Sequence, residues 1–223
     1  MKALIFDSSS LITLTMNSLT DLVGDLKKEF KGKFLIPRQV KYETIDRPLQ
    51  IKKFELAALK NNELIYKKVL ELPEILGINQ EELKDKTKEI LRISNNAFFA
   101  RDEFMHIIDD GEAGCMALSL LLSKKGIDNV IVIDERTTRM LGESPGNLRK
   151  LFESKLHTKV ELKQDFSFLS KMKFIRSSEL VYIAYKKGLV KLKNGNVLDA
   201  LLYATKFKGA SISIQEIEEI KRL

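Results

Sequence analysis

Short runs of apolar residues alternate along the chain with longer segments whose apolar positions recur every three or four residues. Ala3-Leu4-Ile5-Phe6 is a compact apolar run that stops at Asp7, and it predicts a strand buried on both faces. Ser8, Ser9 and Ser10 precede Leu11-Ile12-Thr13-Leu14, which is the composition of a helix start. Phe34-Leu35-Ile36 predicts a second strand. Pro37 then opens a helix that carries Val40, Glu43 and Thr44 and ends before Pro48. From Ile51 to about Met105 the spacing of Leu56, Leu59, Ile90, Leu91 and Ile93 is helical, while Leu64-Ile65-Tyr66 fits a strand or a helix. Asp109-Asp110-Gly111-Glu112 opens a further helix over 113–123. Val130-Ile131-Val132-Ile133, β-branched throughout, predicts a strand ending at Asp134, with a helix from near Arg136. Val160-Glu161-Leu162 reads as an edge strand. Two last helices are predicted over 178–187 and 196–207, closed by Gly188 and Gly209.

Strands alternating with helices predict an α/β fold with a parallel sheet covered on both faces. Two of the best strands end on an aspartate, so Asp7 and Asp134 should lie at the carboxyl edge of the sheet, where ligands bind. Helices beginning near that edge supply Glu43 and Glu112. Each acid also has an ordinary role open to it. Asp7 and Asp134 can cap the helices that follow them. Glu112, three residues after Asp109, has the spacing of a capping box, and Glu43 can be an exposed helix glutamate. Their shared edge is what points to a site. Clustered carboxylates repel, so they need a cation or strongly shifted pKa values. An all-oxygen donor set suits Mg2+ or Mn2+, and such an ion presents water to a phosphodiester. Ser9, two residues after Asp7, can orient a carboxylate, and Asp109, Asp110 and Glu135 adjoin the four acids. Asp199, three residues after Asn196, reads as the far half of a helix cap.

Composition narrows the chemistry. The 223 residues contain one cysteine, Cys115, and two histidines, His106 and His157, which leaves no internal disulfide and little for a zinc site or a His-based triad. Cys115 reads as a small buried helix residue. There is no Gly-x-Gly-x-x-Gly run and no Gly-Lys-Ser/Thr phosphate loop. No apolar run approaches the roughly 18 residues of a membrane span. The opening residues do not form a secretory signal, so a cytoplasmic location is expected. Residues 136–223 hold 18 Lys and Arg against 9 Asp and Glu, whereas residues 1–135 hold 20 against 22. A basic C-terminal part beside a slightly acidic N-terminal part suits a polyanion, although a lysine-rich solvated surface has the same composition. Tyr182, Tyr185, Tyr203 and Phe207 can stack on bases or pack a core at helical spacing.

Leu4-Ile5-Phe6-Asp7-Ser8-Ser9-Ser10-Leu11-Ile12 resembles the opening strand and turn of PIN-domain nucleases. Val40-Lys41-Tyr42-Glu43 looks like the second acidic position of that family, Asp110-Gly111-Glu112-Ala113-Gly114 is similar to the Gly-Glu-Ala helix of one branch, and Ile133-Asp134-Glu135-Arg136 to its strand-end aspartate. The tail around Lys186-Lys187-Gly188-Leu189 is similar to the C-terminal part of prokaryotic, especially archaeal, members. The resemblance implies a PIN-like three-layer sandwich around a central parallel sheet of about five strands. The nuclease domain would span residues 1–165, with a helical insertion or lid over about 48–108, and a basic helical extension over 166–223. It implies that Asp7, Glu43, Glu112 and Asp134 hold one or two Mg2+ or Mn2+ ions, with Ser9 assisting, and that an activated water hydrolyses RNA. It also implies partners beyond RNA: a second copy in a homodimer, or an antitoxin. Many members have Asp where this chain has Glu112, and the 48–108 segment is longer than in compact toxin-type members. The alternative from the same features is a PIN-like RNA-binding or scaffold protein with weak or no nuclease activity.

Overall fold

The computed structural model describes residues 1–193 and 195–222. Four parallel strands form the central sheet: β1 (Lys2–Phe6), β2 (Lys33–Leu35), β5 (Asp128–Val132) and β7 (Phe174–Ile175), in the order β2-β1-β5-β7. Ile5 pairs with Leu35 and Ile131, and Val132 pairs with Phe6 and Ile175. Ile5, Phe6, Leu35, Ile131 and Val132 are fully buried, as strands covered on both faces require. The expected sheet of about five strands is therefore four among the described residues. Glu71 adds a single parallel bridge beyond β2, and Pro73, which has no N–H to donate, follows too closely for a fifth strand to grow. The fold class is α/β as the alternation predicts, but β7 lies in a segment read as helical extension.

Helices α1 (Ser8–Met16) and α2 (Thr20–Glu29) join β1 to β2. After β2 come the short α3 (Arg38–Lys41), a π-helical turn over Tyr42–Asp46 and a 3-10 turn over Pro48–Gln50. Pro48 cannot donate to the carbonyl four residues back, so the helix widens and ends there. The segment that follows carries α4 (Glu55–Tyr66), which settles Leu64-Ile65-Tyr66 as helical, and α5 (Gln80–Asn95). It also carries two strands that its charged composition hides. β3 (Phe98–Ala100) and β4 (Glu103–Phe104) form a hairpin, and β6 (Glu161–Leu162) pairs antiparallel with β3 in this small second sheet, not at the edge of the central one.

α6 (Asp110–Lys124) packs on β1 and β5, with α5 against it. α7 (Arg136–Glu143) and α8 (Pro145–Leu156) follow β5, and α9 (Ser177–Lys186) follows β7 directly. α10 (Val197–Lys208) contacts α1 and α9, and α11 (Ile214–Arg222) packs on α10 around Leu202, Ile212, Ile217 and Ile220, a second small core. Among the described residues no helix is long and apolar enough to cross a membrane.

Candidate active site

Asp7 leaves β1 in extended conformation and caps α1. Its Oδ2 accepts from the Ser9 N–H at 2.9 Å and the Ser9 hydroxyl at 2.6 Å. The helix-cap role is thus filled by one carboxyl oxygen alone. Only 2% of Asp7 is exposed, and the other oxygen, Oδ1, faces the Cys115 thiol at 3.9 Å. Burial pushes the Asp7 carboxyl above the usual carboxylate range, against the pull of the Ser9 bonds. Ser9 also accepts from the Asp134 N–H at 3.1 Å, so its hydroxyl ties the ends of β1 and β5 together. Cys115 is fully buried on α6, and burial together with the neighbouring Asp7, Glu112 and Glu43 drives its thiol well up, so it stays protonated.

Glu43 sits on the π-helical turn. Its Oε1 accepts from Gln39 at 3.0 Å, and its Oε2 accepts a short bond from the Ser8 hydroxyl. Its carboxylate lies against Gly111 at the first turn of α6, where an added Cβ would come within 2.7 Å of Oε2. The glycine of the Gly-Glu-Ala segment thus leaves room for that carboxylate: a side chain there would make the end of Glu43 shift from its present position. Glu112, one residue on, makes its capping bond to the Asp109 N–H at 2.8 Å through Oε2, and its Oε1 accepts from Thr138 of α7 at 2.7 Å. Burial, aided by the charges of Asp7 and Glu135, raises the Glu112 carboxyl to about 7 even though both bonds favour the charged form. Asp109 itself faces outward to His106 at 2.7 Å.

Asp7, Ser9, Glu43, Asp110, Glu112 and Glu135 line one cavity of about 580 Å3, and among the described residues Arg47 is its only cationic side chain. Asp134 is not among them. Its carboxylate is fully buried and turned to the N-terminus of α9, where Oδ1 accepts from the Ser177 N–H at 2.8 Å and Oδ2 from the Ser177 hydroxyl at 2.7 Å. The cause is β7. That strand, which the hydrophobic pattern does not announce, delivers the start of α9 beside the end of β5, and two donors at a helix N-terminus capture the acid. A short polar step, Arg176-Ser177-Ser178, right after an aromatic-aliphatic pair was the available signal. Glu135 reaches the cavity wall while accepting from the Arg136 and Thr137 N–H groups.

Among the described residues, no three His, Cys, Asp or Glu side chains stand as a ready metal cage. The donor chemistry nevertheless fits a hard divalent ion: six acids, Asp109 included, line the cavity, and two of them, Asp7 and Glu112, have carboxyl groups raised by burial. Asp199, read as part of a cap, pairs with Lys221 at 2.7 Å. Comparison with protein-family models, curated proteins and solved structures gives no match.

Proposed function

We propose that this cavity is the active site of a Mg2+- or Mn2+-dependent ribonuclease of PIN-like architecture, with Asp7, Glu43 and Glu112 as the ion-holding acids. The observation that carries the reading is the meeting of those three acids from three separate elements in one cavity, with Gly111 making room for Glu43. Asp134 acts from behind as a positioning residue, by fixing α9 and, through its own N–H, Ser9. The RNA substrate rests on the PIN resemblance and on the basic C-terminal part.

A bound ion supplies a polarised water and takes up charge on the leaving oxygen. The chain's own part is positional and protonic. Ser9 and the Asp7 backbone turn hold the buried carboxylate in one rotamer, and Ser8 and Gln39 do the same for Glu43. Without an ion, burial holds the Glu112 carboxyl near 7, so Glu112 would lose its proton on binding an ion there, and Thr138 fixes the direction of the carboxyl group. Purified protein should cleave mixed RNA with Mn2+ and not with chelator, and Asp7→Asn should cut at least a hundredfold slower. Undiminished cleavage by Asp7→Asn would overturn this assignment. The binding-module alternative is favoured by salt-sensitive RNA binding with no cleavage by the wild type.

A further inference from the structure

A second cavity, of about 700 Å3, lies next to the acidic one and is lined by more cations than acids. Arg136 and Arg139, three apart on α7, and Lys206 of α10 line it against two acids, Glu143 and Glu216, of which Glu216 is already paired with Arg176. Among the described residues none lines both cavities, but the cavities meet at two pairs of chain neighbours. Glu135 and Gly209 line the acidic one, while their neighbours Arg136 and Ala210 line the basic one.

The basic cavity contains an unmet demand. Arg139 Nη1 is buried and has no hydrogen-bond partner among the described residues. A buried donor left unpaired is costly, and a guanidinium most of all. Burial, and then the charge of Arg176, lower the Arg139 pKa. The acids facing it are Glu143, Glu179 and Glu216. Glu179 and Glu216 already pair with Arg176, and Glu216 bonds the Ser213 N–H at 2.8 Å as well. Arg136 makes no ion pair among the described residues. Lys206 spends one donor on the Ile212 carbonyl and keeps two. Planar forks with free donors in a partly desolvated cavity are the chemistry that takes phosphate oxygens.

We propose that this cavity binds the phosphodiester backbone of the RNA strand that enters the acidic site, with Arg136 and Arg139 each gripping a phosphate flanking the cleaved bond. The inference rests on the ribonuclease reading for its substrate, and its test is separable from it. Binding of a labelled single-stranded RNA 12-mer is followed by fluorescence anisotropy in chelator, across a range of salt. Arg136→Gln/Arg139→Gln is expected to bind at least tenfold more weakly at low salt. The slope of log affinity against log salt should fall by about 0.7 for each phosphate that the variant no longer neutralises, whereas Asp7→Asn keeps the full slope. An unchanged affinity and slope in the double variant overturns the inference even if the wild type cleaves RNA with Mn2+. A reduced slope in a protein that cleaves nothing upholds this cavity and overturns the nuclease reading instead. Arg139→Met supplies a readout independent of RNA. A residue kept for a ligand leaves the thermal midpoint level or higher when removed, and a fall of several degrees marks Arg139 as structural and overturns its place here.

Discussion

Glu112 is where charge and burial conflict most openly. Its folded carboxyl is near 7 against an ordinary value of 4.5, so the folded protein holds a proton there that the unfolded chain has released. A raised acid contributes stability below its unfolded pKa and loses it as pH climbs through the folded value. Without metal, stability is therefore expected to drop between about pH 4.5 and 7, and Asp7, also raised, adds to the same trend. Glu112→Gln removes the penalty. It should melt a few degrees above wild type at pH 8 and close to it at pH 4, as read by calorimetry in chelator. A midpoint gap that does not change with pH would refute the buried-acid account. Gly111 gives a second residue-level expectation. Gly→Ala in a helix normally gains up to about 1 kcal/mol. Here the new methyl would meet the Glu43 carboxylate, so Gly111→Ala should cleave RNA at least tenfold slower with no gain in urea midpoint.

At the level of elements, Asp134 separates strand-end acids into two kinds. Asp7 keeps one oxygen free of N–H and O–H donors, while both oxygens of Asp134 are committed to Ser177. Asp134→Ala would orphan a buried N–H and a buried hydroxyl, and it should cost about 2–4 kcal/mol in urea unfolding. Asp7→Asn, which relieves a desolvated charge, should cost far less. Equal losses in the two variants would contradict this division. The sequence located β1, β2 and β5 because each is an apolar run long enough to stand out, and it put Asp7 and Asp134 on the correct edge. It could not show which neighbour each acid would face, because that depends on β7, and two residues carry no periodicity. The β3–β4 hairpin was hidden for a different reason. Its turn is Arg101-Asp102, with φ of 51° and 63°, where a hairpin signal is read from Asn-Gly or Asp-Gly. The π-helical turn under Glu43 likewise has no residue signature beyond the approach of Pro48.

Across the whole molecule, an acidic cavity and a basic one lie side by side, and an RNA strand spanning both would meet opposite forces. The acids repel the phosphate that must sit among them, while Arg136, Arg139 and Lys206 attract its neighbour. In chelator, wild-type affinity is then the basic contribution less the acidic one. A hard ion that supports no cleavage, such as Ca2+, would cancel the second. Adding Ca2+ is therefore expected to tighten RNA binding several-fold in wild type. The variant Asp7→Asn/Glu43→Gln should bind more tightly than wild type in chelator and respond little to Ca2+. The Arg136→Gln/Arg139→Gln variant should start weaker and retain the full Ca2+ response, because its acids are intact. Filter binding at fixed ionic strength distinguishes these three patterns. No Ca2+ response in wild type, with the arginine variant still binding more weakly, would show that the strand held by the arginines does not reach the acids and that the two cavities do not act together.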